Sequence, residues 1–253
     1  MNPTMWLRHA TARLGPLPES YLAFDVETSG LSIKDDYVIQ IGWALVQDRV
    51  MVDGGAVMLD WTRGKGEGWA EWFAQRLQRT RDHVEYKDGF ATGNIFDMTV
   101  ERLQRDGIAP YEALRQFREL VDTCRQTGFA FVGHNGLRHD QPMLDKHFNE
   151  VLDARFLLRE GEYYDTLPLE KGVQLYPAIK PGETWLQFIS RGYHLGGNKI
   201  RCALDKFCVP KYNLHKKHSL DLSRAHEADF DAALTHYLFE HYRELMEGGP
   251  ASG

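Results

Sequence analysis

Asp25 and Glu27 stand one residue apart in the apolar run YLAFDVETSGL, residues 21–31. On a β-strand, alternate side chains share a face, so both carboxylates project from one side of a strand that is otherwise apolar. Two like charges in such a setting repel, and one takes up a proton unless a cation intervenes. Mg²⁺ or Mn²⁺ would remove the conflict, because both prefer carboxylate oxygen and keep water positions open for a phosphate. The pair would equally suit the exposed end of a strand, since Thr28, Ser29 and Gly30 read as a turn. Acid-x-acid spacing recurs at Glu160/Glu162, Glu227/Asp229 and Asp229/Asp231. The apolar setting, not the spacing, distinguishes Asp25 and Glu27.

Further acids could complete such a site. Asp140, in GHNGLRHDQPML, follows the short apolar run FAFVG and opens a helical pattern, where an Asp can simply be a cap. Asp231, in HEADFDAAL, lies near the start of the last helical pattern, where acids also favour the helix dipole. Asp229 competes with it. His226 precedes Asp231 by five residues, and a lone His near a helix start is more often a surface or capping residue than a base. Each acid has a bland explanation taken alone. Their joint occurrence is the signal.

The elements that must position these residues follow from periodicity. YLAFDVE, YVIQIGWALV (37–46) and VMVDGGAVMLD (50–60) read as three strands, with QDR as a hairpin turn. They form an antiparallel meander. Residues 62–107 read as an excursion: TRGKGEGW is Gly-rich, WAEWFAQRLQRT helical and KDGFATGN loop-like. The segment is too short and polar to own a core. From Pro110, Leu114, Phe117, Leu120, Val121 and Cys124 recur at helical spacing until Gly128. FAFVG is a strand, DQPMLDKHFNEVL a helix with Met143, Leu144, Phe148, Val151 and Leu152 on one face, and YYDT a strand. KIRCALDKFCV reads as helical. The last helix runs from about His226 to Met246, with Ala233, Tyr237, Leu238, His241 and Leu245 as its apolar face. This order is α/β with a mixed sheet, the helix before FAFVG supplying a parallel crossover.

Composition narrows the class. The 253 residues are 43% hydrophobic and 12% aromatic, as in globular proteins. No apolar run approaches the roughly 20 residues of a membrane span, and MNPTMWLRHATARLG lacks the features of a secretory signal. Cys124, Cys202 and Cys208 are odd in number and in no C-x-x-C pattern. That points to a reducing, cytoplasmic compartment and away from structural zinc. A net charge of −6 offers a polyanion no overall attraction. Lys199, Arg201, Lys206, Lys211, Lys216 and Lys217, opposed only by Asp205, form either a solvated face or a local phosphate-binding segment.

Three stretches, FDVETSGL (24–31), VGHNGLRHDQPML (132–144) and HEADFD (226–231), together resemble the motifs of the DEDDh, or DnaQ-like, 3′→5′ exonuclease family. The family pattern is D-x-E-T/A-T/S-G-L, then H-N with a following Asp, then H-x-x-x-x-D. His134 to Asp140 is six residues, where many members have five. HNGLRHDQPML is most similar to the H-N-G-x-R-Y-D-x-P-L-L form of the three-prime repair exonuclease (TREX) branch, with His139 in place of that branch's aromatic residue. The resemblance spans roughly 20–60, 110–166 and 196–246, and leaves out the insertion at 62–107 and a loop at 168–183.

The resemblance implies an RNase H-like mixed β-sheet flanked by helices. It implies a single exonuclease domain over 1–246, with an insertion at about 62–107 and a flexible tail at 247–253. Asp25, Glu27, Asp140 and Asp231 would hold two Mg²⁺ or Mn²⁺ ions, and His226 would be the general base; these five would carry catalysis. Thr28, Leu31, His134 and Asn135 would serve the substrate side, with Leu31 against the terminal base and hydrogen bonding by His134 and Asn135 around the loop. The implied reaction releases nucleoside 5′-monophosphates from nucleic acid 3′ ends, DNA favoured over RNA, single-stranded or frayed. An RNA-trimming exonuclease of the oligoribonuclease or RNase T kind, and a catalytically idle nucleic-acid-binding module, are the alternatives. A homodimer, or a polymerase or repair partner, is open.

Overall fold

The computed structural model describes residues 1–88, 98–196 and 212–248, the side chains of 81–88 excepted. Among the described residues, five strands form one sheet in the order β3-β2-β1-β4-β5. Strands β1 (Tyr21–Thr28), β2 (Val38–Gln47) and β3 (Val50–Met58) make the expected antiparallel meander. Asp48 and Arg49 both have positive φ, 50° and 70°, the conformation that lets a two-residue turn follow the twist of its strands. Strands β4 (Ala130–Gly133) and β5 (Tyr163–Asp165) run parallel to β1. Helix α4 (Pro110–Gln126) makes the crossover into β4, with Leu114, Phe117, Val121 and Cys124 buried.

Several elements differ from the sequence expectation. Helix α1 (Pro3–Leu14) went unrecognised, although Asn2 caps it and Pro3 opens it, a sequence signature of a helix start. The first half of the expected loop at 168–183 is helix: α6 (Thr166–Leu175) grows straight out of β5, capped by the Asp165 side chain, and the chain from Tyr176 to Glu183 is loop. The insertion, as expected, builds no core of its own and packs on the main one. Its α2 (Trp69–Asp88) and α3 (Val100–Asp106) bury Phe73, Leu77, Val100 and Leu103, and Tyr37 packs edge-on to Phe73 at 5.7 Å and against Trp61 at 5.0 Å. Borrowed aromatic surface from the sheet supplies what the polar segment lacks. The expected helix over KIRCALDKFCV and the tail beyond Gly248 lie outside the described residues.

Helix α5 (Asp140–Leu152) follows β4, and α7 (Trp185–Gly192) follows α6. A single-turn α8 (Leu214–Lys217) precedes α9 (Ala228–Glu247). The buried face of α9 is broader than the spacing suggests: Leu234, Phe239 and Tyr242 are fully buried, while Ala233 and Tyr237 are partly exposed. The helix lies across β1 and β2 and also meets α1, so it buries more than one stripe.

The N-terminus of α9 approaches the sheet at one glycine. A Cβ on Gly42 would overlap the backbone of Ala228 and Asp229. Close backbone approach of this kind requires the missing side chain. Gly42→Ala is expected to lower the unfolding free energy by about 3 kcal/mol through overpacking, read from the urea midpoint. A loss below about 0.5 kcal/mol, the level of a neutral surface change, would show that α9 is not seated on β2 this way.

Candidate active site

Strand register sets where the acids stand. In the β1–β2 ladder Asp25 lies opposite Gly42, and Glu27 opposite Gln40. Gln40 Oε1 accepts the backbone N–H of Ala228 at 3.0 Å. The first turn of α9 is thereby docked beside the two acids of β1. Asp231 is buried in that turn, 4% exposed, and its Oδ2 accepts the backbone N–H of His226 at 3.2 Å. His226 itself has φ +73°, a left-handed conformation uncommon for residues other than glycine and found more often in Asn, Asp and His. The turn that begins α9 imposes it. Among the described residues, donor atoms of Glu27, His226 and Asp231 lie within 4.8 Å of one another. Asp229 instead pairs with Arg224 at 2.7 Å, so it points away from this cluster and is not a helix cap.

Asp140 arrives from the other side. It is the first residue of α5 and is buried, 4% exposed, with Oδ2 lacking a hydrogen-bond partner among the described residues. It caps nothing; the N-cap is His139, without a side-chain capping bond. The loop before it wraps around Asp165, a fully buried carboxylate at the end of β5. Asp165 accepts the backbone N–H groups of Asn135 at 3.0 Å, Gly136 at 2.9 Å and Leu167 at 2.9 Å. The hydroxyls of Tyr163 and Tyr193 donate to it at 2.6 and 2.5 Å. Asn135 adopts φ +67°, and side chains at Gly133 or Gly136 would crowd the Tyr163 hydroxyl. Asp165 therefore shapes the loop that delivers Asp140. Sequence reasoning missed it, though an Asp between a strand and a helix is a capping signal.

Asp25 feels the charges of the other three acids. Burial pushes the Asp25 carboxyl well above the usual carboxylate range, and the charges of Asp140, Asp231 and Glu27 push it further. Asp140 is raised likewise, by burial and then by Asp165. Burial raises Asp165 as well, while the Tyr163 and Tyr193 hydroxyls partly oppose the shift. A set of buried carboxylate oxygens in mutual repulsion, one with an unsatisfied lone-pair donor at Asp140 Oδ2, fits hard divalent cations such as Mg²⁺ or Mn²⁺.

The substrate-side residues are divided. Leu31 stands 72% exposed at the tip of the turn after β1. Thr28 Oγ1 donates to the Gly30 carbonyl at 2.7 Å and meets His139 Nε2 at 3.4 Å, tying the first motif to the second. Asn135 is partly buried. His134 is buried, its Nδ1 2.8 Å from Thr166 Oγ1, and burial pulls its pKa down to about 4 against the opposing charge of Glu170. It is a neutral strut between β4 and α6. Of the basic segment, Lys217 pairs with Glu244, and residues 197–211 lie outside the described residues.

No protein-family model and no curated protein matches the chain, but solved structures do. The zinc-bound complex of E. coli exonuclease I with single-stranded DNA is 12% identical over 92% of this chain and 41% of that chain, TM-score 0.55. A product-bound structure of exonuclease I is 13% identical, covering 91% of this chain and 46% of that chain, TM-score 0.52. E. coli exonuclease I with a dA16 oligonucleotide is 13% identical, covering 90% and 42%, TM-score 0.52. This chain spans less than half the length of those chains. The likeness shows the fold, an RNase H-like α/β sheet flanked by helices, as the sequence suggested. Among the described residues no helix is long and apolar enough to cross a membrane.

An acid with a raised pKa in the folded state costs nothing below the ordinary carboxylate pKa. It destabilises progressively as pH rises through its raised value. In chelator, Asp25→Asn is therefore expected to melt at a higher temperature than the unsubstituted protein at about pH 8. The two should converge near pH 4, where unfolded carboxylates are protonated. Added Mn²⁺ should raise the melting temperature of the unsubstituted protein alone. A variant no more stable at high pH would contradict the repulsion.

Proposed function

We propose that this protein is a metal-dependent 3′→5′ exonuclease of the DEDDh type, with residues 1–246 as one exonuclease unit. The proposed reaction removes nucleoside 5′-monophosphates from DNA 3′ ends, with single-stranded or frayed ends preferred and the TREX branch the nearest in its second motif. The observation that carries this reading is that Asp25 lies within electrostatic reach of Asp140, Asp231 and Glu27, with His226 beside Glu27 and Asp231, from elements far apart in the chain. The single-stranded DNA held by E. coli exonuclease I in the same fold supports a nucleic acid ligand.

Asp25, Glu27, Asp140 and Asp231 would hold two divalent ions. Such ions, when bound, neutralise the charge of the scissile phosphate and make water acidic enough to attack at neutral pH. His226, within donor range of Asp231, takes the proton of the attacking water. The P–O3′ bond breaks as the new P–O bond forms, and the departing O3′ takes a proton from solvent. Leu31, exposed on the turn after Glu27, offers an apolar surface to the terminal base. Asp165 keeps the Asn135–Gly136 backbone in place, and so keeps Asp140 aimed.

A time course on 5′-labelled DNA and RNA, single- and double-stranded, with and without EDTA, tests the reading. Stepwise 3′ shortening of DNA that stops in EDTA is expected. Shortening that survives EDTA, or that prefers RNA, overturns the metal or the substrate assignment respectively. His226→Ala should lower turnover at least about 100-fold while oligonucleotide binding stays within about twofold. Unchanged turnover would remove His226 as the base.

A further inference from the structure

The insertion at 62–107 reaches into the candidate site through one buried carboxylate. Asp36 closes the turn that follows β1 and is 4% exposed. It accepts the Ser29 hydroxyl at 3.0 Å and the Ser32 backbone N–H at 2.8 Å. Gly30 lies directly against it, with room for no side chain. Ser29 in turn pairs with Tyr37 through both backbone and side chain. The segment from Thr28 to Tyr37 is thus folded around Asp36, with Leu31 thrust outward at its tip.

Two residues of α2 fasten that segment from outside. Arg76 donates from Nε to Asp36 Oδ1 at 2.6 Å. Thr80, one turn further on, donates its hydroxyl to the Ser29 carbonyl at 2.5 Å. The Trp72 ring lies under the Arg76 guanidinium at 5.6 Å and steadies its aim. From the opposite side Lys146 of α5 donates to the Asp36 carbonyl at 2.8 Å. A charge-assisted bond to a buried carboxylate is strong and directional, so these contacts constrain the turn more than surface ion pairs would.

We propose that the insertion is a working part of the site: through Arg76 and Thr80, α2 clamps the Thr28–Leu31 turn in the shape that receives the terminal nucleotide. Arg76 and Thr80 are positioning residues; among the described residues their hydrogen bonds go to Asp36, Ser29 and their own helix. The inference rests on the exonuclease reading above. It gives the insertion a role in holding substrate, not in the chemical step.

Three variants test it: Arg76→Gln, Thr80→Val and Arg76→Lys. Losing a contact that places substrate raises KM more than it lowers kcat. Arg76→Gln and Thr80→Val should each raise KM for a single-stranded DNA 3′ end roughly tenfold, with kcat within about twofold. Arg76→Lys, which keeps the charge, should recover most of the loss. In metal-free protein without nucleic acid, amide hydrogen exchange across 28–36 should quicken about tenfold in the first two variants, with 21–26 unchanged. Folded variants with unaltered KM and exchange overturn the clamp, as does a fall in kcat at constant KM. Thr80→Val decides the matter if Arg76→Gln does not fold. If the unsubstituted protein shortens no 3′ end, the exonuclease reading fails, and exchange across 28–36 alone judges whether α2 holds the turn.

Discussion

The seating of α9 on β2 is the constraint on which the rest of the structure depends. Ala228 reaches the sheet only because Gly42 has no side chain, and Gln40 catches its N–H there. Those two residues are the ladder partners of Asp25 and Glu27. One close approach between backbones therefore brings both ends of the chain's acidic set together.

Such a site works against folding. Buried carboxylates that repel one another raise the energy of the empty fold, which the raised Asp25 and Asp140 pKa values express. The opposing stabilisation lies in the surrounding core. Tyr21, Phe24, Phe117, Phe131, Phe156 and Phe239 are fully buried, and each large aromatic side chain contributes about 1.5–3 kcal/mol on burial. Repulsion is thus concentrated at the acid cluster, and stability is spread over the apolar layers on either side of the sheet.

Two other buried carboxylates, Asp36 and Asp165, have a different task. Each gathers backbone and side-chain donors from a loop next to the four acids: Ser29, Ser32 and Arg76 for Asp36, Asn135, Gly136 and two tyrosines for Asp165. Satisfied in this way, a buried charge becomes an organiser of irregular backbone. The loops at the site are held from beneath by acids that the cluster itself does not include.

The acids of the cluster were named from the sequence by the ordered occurrence of three stretches that resemble the DEDDh motifs; taken singly, Asp140 reads equally as a helix cap and Asp231 as a first-turn acid. The meander, the α4 crossover and the mixed sheet were legible too, since periods of 2 and 3.6 are properties of short segments. Helix α6 and the Asp165 capping signal were present and unread. What the tertiary structure alone decided is who meets whom. Arg76 meets Asp36, Gln40 meets Ala228 and Tyr193 meets Asp165 across 40, 188 and 28 residues respectively. No local pattern encodes such pairs, because a contact between distant segments depends on how whole elements pack. The side chains that aim a site are chosen by that packing, whereas those that form it are written in the order of the chain.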